Sequence, residues 1–534
     1  MRLLDLFRDV EGSRVVGDST VDVSSLSYRS TLAGPGHLFF CVPGLVRDGH
    51  EFAAEAVARG AAALCVEREL PLPVTQVVVE SVRWAMGPVA AAMFEHPSAR
   101  MATVGITGTN GKTTTAYLTA FFLDEAGRRA GLLGTVERRI GGVVFPAERT
   151  TPEAVDLQQD LAMMVDAGDQ AAVMEVSSHA LDLGRAAGIS FAAVAFTNLT
   201  QDHLDYHGTL EAYYGAKSRL FLDPRYARNR PPAVVNIDDA FGRLLAERIT
   251  PDRLLTVAVG EDGAQAGSTG TKGEHTDQPP DLSTADLVTD ADGMRGTLVL
   301  RGRGASAVAR LAGRPQVKGE VLERPIQSRL IGRYNAQNVL TALGLGVALG
   351  LDLDAMLGVL PRFPEVPGRL ERVDTPLPVT IAVDYAHTPD SVENVLRTAR
   401  SVARGRVIAL LGCGGDRDRG KRPKMGRAAE TWADVLVVTS DNPRSEDPRA
   451  IIDEILGGLE HPEQAIVRVD RREAIGEALR AAQPGDMVLL LGKGHESGQQ
   501  FKDHVVPFDD RDVARSLAAE IAEAGRHHPD GGRS

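Results

Sequence analysis

The sequence contains few cysteines, few aromatic residues and no long apolar run. Its three cysteines, Cys41, Cys65 and Cys413, lie far apart and lack the spacing of a metal site, so we expect reduced thiols in a cytoplasmic protein. No apolar run approaches the roughly 20 residues that a membrane-spanning helix needs. The first residues lack the apolar core of a signal peptide, so neither export nor membrane insertion is expected.

Positive charge is also scarce. The chain carries 59 Lys and Arg against 72 Asp and Glu, which gives a formal net charge of -13. This balance argues against a general affinity for nucleic acid. The length of 534 residues exceeds what one hydrophobic core can organise, so about two to four domains are expected.

Three sections with different patterns follow one another, which predicts an α/β protein of three domains. Residues 1–100 alternate short apolar runs with alanine-rich stretches, which predicts a small α/β domain. The candidate strands of the central section, 101–366, are 103–106, 172–176, 192–196 and 233–236. Those of the last section, 367–524, are 379–384, 407–411, 435–439 and 487–491. Helical stretches separate these last strands, which predicts a parallel, Rossmann-like sheet.

Two segments are predicted to lie outside the packed cores. Residues 261–283 are rich in Gly, Thr and Asp and nearly free of large apolar side chains. Such a segment cannot bury a core, so we expect a flexible surface loop. The last ten residues, 525–534, are predicted to form a disordered tail.

A glycine-rich turn, Gly108 to Thr113, follows the strand at 103–106, and a helix is predicted to start near Lys112. Backbone N–H groups of such a turn can surround phosphate oxygens, and the helix N-terminus adds positive potential. Lys112 would reach the terminal phosphates of ATP, and the Thr113 hydroxyl would bind magnesium. A strict phosphate-loop pattern fails at Ile106, where glycine is expected. The strand–turn–helix context nevertheless favours a central sheet of the phosphate-loop ATPase type.

Groups that suit metal ions follow two further strands. Glu175 lies at the end of one strand, where a second magnesium-binding carboxylate would belong. A dense group of His and Asp side chains at 202–207 suits a metal or phosphate site. By composition alone, Lys217 would be a solvent-exposed lysine on a helix.

Four segments together resemble the Mur ligases, the ATP-dependent amide-forming enzymes of peptidoglycan precursor synthesis. They are GTNGKTTT (108–115), MEVSSHALDLGR (174–185), DHLDYHG (202–208) and YGAKSRLF (214–221), in the family's order and approximate spacing. The similarity runs from about residue 20 to 515. The resemblance implies that Lys217 is carbamylated and binds one magnesium ion with His203, while Thr113 and Glu175 bind another. Lys112, Lys217 and His203 would be the catalytic residues.

The resemblance also implies the contacts with ATP. The phosphate-binding residues would be Gly108, Thr109, Asn110, Gly111, Lys112, Thr113 and Thr114. The adenosine would meet Asn335, Arg369, Asp384 and His387. No side chain would act as a covalent nucleophile, and the general base for the amine stays open between His203 and His207.

Polar residues follow the ends of four strands in the last section. They are found at 384–387, 414–417, 441–444 and 492–496. Ligands of open parallel sheets bind at the carboxyl ends of the strands. Arginines there suit a carboxylate and carboxylates suit an ammonium group, so a zwitterionic ligand such as an amino acid is predicted.

The segment Asp-Asn-Pro-Arg, 441–444, resembles the family members that add meso-diaminopimelate. The implied amino-acid contacts are Arg417, Asp441, Asn442, Pro443, Arg444, Gly492 and Glu496. Arg444 would face the carboxylate at the far end of the ligand, which L-lysine lacks. A buried arginine without its carboxylate costs several kcal/mol, so lysine would be rejected.

The first section resembles the family's uridine-nucleotide-binding segment at 39–49. The implied contacts with the UDP-linked substrate are Ser30, Leu45, Val46, Arg47, Thr150, Thr151, Ser177 and Arg185. Two positions depart from the family pattern. Arg29-Ser30-Thr31 stands where Asp-Ser-Arg is usual, and Leu183 stands where glutamine is frequent.

The implied reaction starts with transfer of the ATP γ-phosphate to a D-glutamate carboxylate of UDP-N-acetylmuramoyl-L-alanyl-D-glutamate. The amine of diaminopimelate then attacks the acyl phosphate. The expected partners are these small molecules alone, and a monomer whose domains close around them is expected. Three alternatives stay open: a ligase for lysine or another amino acid, a folylpolyglutamate-synthetase-like ligase, and a non-catalytic nucleotide-dependent binding protein.

Overall fold

The computed structural model describes residues 1–44, 47–260, 279–290, 293–315, 317 and 319–526. Residues 261–278 of the predicted loop and 527–534 of the predicted tail lie outside these ranges. The predicted end of the loop is wrong, because Leu282 and Ser283 are buried residues of a strand. The tail prediction starts two residues too early, because a helix continues to Arg526. Within the described ranges, no helix is long and apolar enough to cross a membrane.

Residues 1–100 form a five-stranded sheet. Its strands are β1 (Arg14–Val16), β2 (Ser25–Ser27), β3 (His37–Phe40), β4 (Ala63–Val66) and β5 (Thr75–Val78). The helices of this region are α1 (Leu3–Leu6), α2 (Ala53–Ala58), α3 (Val82–Met93) and α4 (Pro97–Arg100). The strand order is β1-β5-β4-β3-β2, in which only β1 is antiparallel to its neighbour. Alternate residues of β3 enter separate cores on the two faces of the sheet, as strand geometry requires.

Residues 101–366 form an eleven-stranded sheet. Its first strands are β6 (Ala102–Thr107), β7 (Ala130–Leu133), β8 (Glu137–Ile140), β9 (Val143–Pro146), β10 (Ala171–Glu175) and β11 (Phe191–Phe196). The remaining strands are β12 (Ala233–Asn236), β13 (Leu254–Val259), β14 (Leu282–Asp290), β15 (Gly293–Leu300) and β16 (Leu322–Ser328). The order is β16-β15-β14-β13-β12-β11-β6-β10-β7-β8-β9, and the predicted strands of this section are confirmed.

Helices cover both faces of this central sheet. They are α5 (Lys112–Glu125), α6 (Ala154–Asp166), α7 (Ser178–Asp182), α8 (Leu204–His207), α9 (Leu210–Leu222), α10 (Ala240–Arg248), α11 (Gly302–Leu311), α12 (Arg333–Ala348) and α13 (Leu353–Val359). One core contains α5 and α12, and the other contains α6 and α9. The middle strands are therefore buried on both faces, which explains their continuous apolar sequences. β11, β6 and β10 are parallel neighbours, so the turns that follow them meet at one edge.

Residues 367–526 form a six-stranded sheet and a small hairpin. The strands are β17 (Glu371–Arg372), β18 (Thr380–Asp384), β19 (Val407–Leu411), β20 (Val435–Val438), β21 (Ile466–Val467), β22 (Met487–Leu491), β23 (Gly498–Gln500) and β24 (Val505–Pro507). The helices are α14 (Pro389–Val402), α15 (Arg422–Trp432), α16 (Pro448–Leu456), α17 (Arg471–Ala481) and α18 (Asp510–Arg526). The order β17-β18-β22-β19-β20-β21 is parallel except for β17, which confirms the predicted second parallel sheet.

The two outer regions contact the central one in different ways. Gly87 of α3 packs backbone to backbone, and a Cβ atom there would lie 2.2 Å from the Ala187 carbonyl oxygen. On the other side, Asp390 near the start of α14 accepts hydrogen bonds from the Asn110 side chain at 2.9 Å and the Thr200 hydroxyl at 3.1 Å. The N-terminal region thus adds close backbone packing to polar contacts such as that of the Tyr28 hydroxyl with Asp156 at 2.5 Å, whereas the C-terminal contact described here is made by polar side chains.

Candidate active site

The phosphate loop lies between β6 and α5, as predicted. Gly108 and Gly111 adopt φ angles of 151° and 84°, which residues with side chains rarely adopt. A Cβ atom on Gly108 would lie 1.9 Å from the Thr197 hydroxyl oxygen, so only glycine fits. The Asn198 side-chain oxygen accepts a hydrogen bond from the Asn110 N–H at 2.9 Å. The loop is therefore held open by the backbone and by contacts from the turn after β11.

Two lysines converge on one carbonyl of this loop. The Lys112 ammonium donates to the carbonyls of Gly108, at 3.1 Å, and Thr109, at 2.8 Å. The Lys217 amine donates to the same Gly108 carbonyl at 2.7 Å. Lys217 is 1% exposed, so the expectation of a solvent-exposed helix lysine is wrong. Burial, together with the charge of Lys112, holds the pKa of Lys217 well below its usual range.

Thr113 and Glu175 lie close to the loop and carry oxygen ligands. Glu175 ends β10 in register with Ile106 of β6, and it accepts hydrogen bonds from the Thr135 N–H and hydroxyl at 2.8 and 3.1 Å. The Thr113 hydroxyl accepts one from Arg369 at 3.1 Å. Oxygen atoms of this kind suit magnesium, which binds one or two protein ligands plus phosphates and water. Across the described residues, no group of three or more His, Cys, Asp or Glu could hold a metal ion by itself.

His203 and Lys217 both lie close to the ring of Tyr213. The Lys217 nitrogen lies 4.5 Å from the centre of the Tyr213 ring, and the His203 ring lies 6.1 Å from it. Burial lowers the pKa of His203 to about 4, so its imidazole is neutral and able to bind a metal. His207 contacts the Ser178 hydroxyl at 3.0 Å. The ring of His179 lies 4.9 Å from the His203 ring.

A cavity of about 660 Å³ opens beside the phosphate loop, between α12 and α14. The predicted ATP-binding residues that line it are Asn110, Gly111, Thr113, Thr114, Asn335, Arg369 and Asp384. Those that do not line it are Gly108, Thr109, Lys112 and His387. Ser391, Asn394 and Arg397 of α14 complete the wall, and nothing in the sequence had indicated them. The volume is in the range of small-molecule sites and suits a nucleotide.

Two titratable groups near this cavity are shifted by burial. One Asp384 carboxylate oxygen accepts a hydrogen bond from the Leu370 N–H at 2.7 Å, and burial raises the pKa of Asp384 to about 6. The His387 Nδ1 lies 2.8 Å from the Tyr385 carbonyl oxygen, and burial lowers the pKa of His387 to about 4. Arg369 lies 5.2 Å from the Tyr385 ring centre, so these side chains form one wall.

The predicted uridine-binding residues are dispersed. Ser30 begins a short 3-10 helix, 30–32, which borders a cavity of about 460 Å³ together with α6. The Arg47 guanidinium lies 4.5 Å from the Phe52 ring centre and is largely exposed. Leu45 and Val46 lie outside the described residues. Arg29 and Leu32, on either side of Ser30, line this cavity between the N-terminal and central regions, but Ser30 and Arg47 do not.

The predicted contacts with the peptide part of the substrate lie together. The Thr151 hydroxyl donates to the Glu175 carbonyl at 2.9 Å and accepts from the Ser177 N–H at 3.1 Å. Arg185 donates to the Thr151 carbonyl at 3.4 Å. Arg185 also pairs at 2.9 Å with Glu153, which no sequence signal had indicated.

Thr150 belongs to the same group of side chains. Its hydroxyl lies 3.0 Å from that of Thr135, which in turn contacts Glu175. The group therefore borders the candidate magnesium ligands.

At the opposite end of the site, turns after β20 and β22 meet. The Asn442 side chain donates to a Glu496 carboxylate oxygen at 2.6 Å. Asp441 is buried, and its Oδ2 atom has no hydrogen-bond partner among the described residues. A Cβ atom on Gly492 would lie 2.6 Å from this oxygen, and the φ of Gly492 is 110°. A buried carboxylate oxygen without a donor is suited to an incoming ammonium group.

The two predicted arginines lie on adjacent turns. Arg444 donates from its guanidinium to the Gly415 carbonyl at 2.7 Å and from its backbone to the Gln500 carbonyl at 2.9 Å. Arg417 is exposed and donates to the Asp416 carbonyl at 3.0 Å. Pro443 lies directly before Arg444 and carries the turn between β20 and α16.

Lys493 was missed by the sequence reasoning. It is fully buried, lies 3.4 Å from the Asn442 side-chain oxygen and 3.7 Å from Glu496, and donates to the Gly498 carbonyl. The one feature of the sequence that could have indicated Lys493 is its position in the polar segment 492–496, directly after a strand. Composition alone would have made it a surface lysine.

The C-terminal region thus contributes Arg369 and Asp384 to a cavity beside the phosphate loop and also carries the turns in which charged side chains meet. Family models match the chain at residues 22–96 (Mur ligase family, catalytic domain), 106–346 (Mur ligase middle domain) and 368–494 (Mur ligase, glutamate ligase domain). The chain belongs to the Mur ligase family.

Curated relatives are similar over nearly the whole chain. A UDP-N-acetylmuramoyl-L-alanyl-D-glutamate–2,6-diaminopimelate ligase of Synechococcus elongatus is 44% identical, covering 94% of this chain and 95% of the relative. The enzyme of the same name from Geobacter metallireducens is 42% identical, covering 98% of this chain and 100% of the relative. A solved structure of an enzyme with this name superimposes with a TM-score of 0.65 at 30% identity, covering 98% of this chain and 99% of the other.

Proposed function

We propose that the protein is an ATP-dependent, ADP-forming amide ligase of peptidoglycan precursor synthesis. It adds meso-2,6-diaminopimelate to the D-glutamate γ-carboxylate of UDP-N-acetylmuramoyl-L-alanyl-D-glutamate. The observation that carries this proposal is the group of side chains at the carboxyl ends of β19, β20 and β22, which we take as the amino-acid pocket. There Asp441, with a buried carboxylate oxygen that lacks a donor among the described residues, lies in the same turn as Arg444, so the group offers partners for both an ammonium group and a carboxylate.

The phosphate loop and its lysines support ATP as the phosphate donor. Lys112 is held by the Gly108 and Thr109 carbonyls, so its ammonium is already positioned beside the loop. There it neutralises charge on the transferred phosphate while loop N–H groups orient the nucleotide. Asn335, Arg369 and Asp384 line the cavity in which we place the adenosine.

Magnesium would supply positive charge that offsets the charge of the phosphates. Thr113 and Glu175 would bind one ion, and His203 with carbamylated Lys217 the other. Burial of Lys217 supports the carbamate, because burial holds the pKa of this amine well below its usual range and so favours the neutral form that reacts with carbon dioxide. Carbamylation forms an N–C bond between the neutral amine and carbon dioxide and releases one proton.

The acid substrate is proposed to extend from the N-terminal region to the phosphate loop. Ser30, Arg47 and the segment 45–46 would hold the uridine end. Thr150, Thr151, Ser177 and Arg185 would hold the peptide end, and their contact with Glu175 supports placing the D-glutamate carboxylate beside the γ-phosphate. The three regions would then act as domains that close around the substrates. We place the reaction in the cytoplasm, with the protein as a monomer.

An amino-acid competition assay tests the proposal. Protein, magnesium, ATP and the UDP-linked dipeptide are supplied with meso-diaminopimelate or L-lysine, and phosphate release and product mass are measured. We expect turnover with diaminopimelate and at least about 100-fold lower kcat/KM with lysine, because Arg444 would be left without its carboxylate. Phosphate release should require both co-substrates.

Matched variants locate the selectivity. Arg444→Met should remove most of the preference for diaminopimelate. Arg449→Met is the control, since Arg449 is an exposed residue of the next helix that pairs with Asp453. Turnover with lysine alone would contradict the assignment of the amino acid. ATP hydrolysis without either co-substrate would contradict the ligase assignment.

A further inference from the structure

A group of charges with a buried arginine at its centre lies behind the proposed amino-acid pocket. Arg422, the first residue of α15, is fully buried, whereas the side chains of its partners Glu446 and Glu454 are 22% and 25% exposed. Its guanidinium donates to both carboxylate oxygens of Glu446, at 2.9 and 2.7 Å, and to Glu454 at 2.8 Å. Burying the charge of an arginine adds little net stability compared with apolar packing, so Arg422 calls for another explanation.

Arg422 joins the two turns that carry the proposed ligand arginines. Its Nη2 also donates to the Gly414 carbonyl at 3.1 Å, in the turn after β19 that bears Arg417. Glu446 lies in the turn after β20 that bears Arg444, and it accepts a hydrogen bond from the N–H of Asp416 in the first turn. The Arg422 guanidinium therefore forms hydrogen bonds with both turns, on the side away from the proposed pocket.

Further hydrogen bonds join the same turns along their length. The Gly415 N–H donates to the Asn442 carbonyl at 2.8 Å. The Asp416 carboxylate accepts hydrogen bonds from the Ser445 hydroxyl at 2.6 Å and the Ser445 N–H at 3.2 Å. Asp416 and Arg444 adopt φ angles of 53° and 52°, which such residues keep only where their surroundings impose them.

We propose that Arg422 is a positioning residue that sets the separation of Arg417 and Arg444, and with it the selectivity for amino acids with a distal carboxylate. This inference rests on the proposed function. Arg422 does not reach the pocket, since its guanidinium is enclosed by Glu446, Glu454 and the Gly414 carbonyl. A carboxylate that is held by two hydrogen bonds tolerates positional errors of only about 0.5 Å. Loss of the Arg422 contacts would let the two turns move, and this would weaken binding of the carboxylate.

The test uses Arg422→Met and the milder Glu446→Gln, which keeps the side-chain shape and remains informative where the first variant folds poorly. Values of kcat/KM are measured for meso-diaminopimelate and L-lysine, and KM is measured for ATP. We expect the KM for diaminopimelate to rise about 10-fold or more in Arg422→Met. The KM for ATP should stay within about twofold, since the cavity between α12 and α14 does not include these residues.

The discriminating readout is the ratio of kcat/KM for the two amino acids. This ratio should fall about 10-fold in Arg422→Met and less in Glu446→Gln. Arg427→Met is the control on the same helix, because Arg427 pairs with Glu430 and Glu460 and contacts neither turn. A uniform loss of activity at an unchanged ratio would overturn the positioning role. A wild-type protein without preference for diaminopimelate would contradict the proposed function, and this inference with it.

Discussion

The phosphate end and the amino-acid end of the site are constructed differently. At the phosphate end, backbone atoms do most of the positioning, and one carbonyl, that of Gly108, receives both Lys112 and Lys217. At the amino-acid end, side chains from separate turns hold one another through ion pairs and amide contacts, such as Asn442 with Glu496. A backbone-built site tolerates few residue types at its glycines, whereas a side-chain network can be altered residue by residue to change selectivity.

The largest effect is expected at the phosphate end, from Lys217→Ala. The loss of the proposed carbamate should lower kcat by at least about 1,000-fold, which corresponds to about 4 kcal/mol of transition-state stabilisation. High bicarbonate should not restore activity, and a short-chain carboxylic acid should restore part of it by occupying the vacated position. Phosphate release with and without acetate is the measurement. Full activity of this variant would refute the carbamate role.

A pair of glycine substitutions separates the two ends. The φ of Gly111 is 84° and a Cβ atom there would lie 2.2 Å from the Asn338 side-chain oxygen, while a Cβ atom on Gly492 would lie 2.6 Å from Asp441. Gly111→Ala should lower kcat/KM for ATP about 100-fold and leave the KM for the amino acid nearly unchanged. Gly492→Ala should do the reverse, raising the KM for diaminopimelate about 10-fold. Equal effects on both substrates would show that the two ends are not independent.

The smallest effect is on stability. The pKa of Asp384 is raised from 3.8 to about 6, so the folded protein holds a proton that the unfolded chain releases between these values. The free energy of unfolding therefore falls as pH rises from about 4 to 6. Asp384→Asn should be about 3 kcal/mol more stable than wild type at pH 7, with the difference vanishing near pH 4.

Urea unfolding curves at several pH values measure this difference. The same variant should bind ATP less well, since Asp384 lines the nucleotide cavity. A stability difference independent of pH would contradict the assignment of the shifted pKa to this carboxyl group.

The sequence predicted the phosphate end better than the amino-acid end, for a physical reason. The loop at 108–113 is contiguous, and its glycines mark backbone conformations that other residues avoid. The pocket at the other end assembles from turns about 80 residues apart. The arginines that would bind the ligand, Arg417 and Arg444, could be predicted because polar residues recur at the strand ends. No pattern in the surrounding sequence indicates the supporting roles of Arg422 and Lys493.

Burial was the other quantity that the sequence could not supply. From the local composition, Lys217 and Lys493 would both be predicted to be surface lysines, yet each is at most 1% exposed. Lys217 lies on the inner side of α9, where it contacts a loop more than 100 residues earlier in the chain. The parallel strands in the middle of both larger sheets were predictable, because apolar runs alternate with helices and such runs are buried on both faces. The antiparallel strands β8, β9, β15 and β16 at the edges of the central sheet were not predicted.

The hydrogen bonds to Asp390 have a thermodynamic consequence. They tie Asn110 of the phosphate loop and Thr200 to α14, in the region that also bears the amino-acid turns. If ATP changes the affinity for the amino acid through this junction, the amino acid must, by reciprocity, change the affinity for ATP by the same factor. Coupling between two chemically unrelated ligands would then pass through a few polar contacts, and these contacts themselves line the nucleotide cavity.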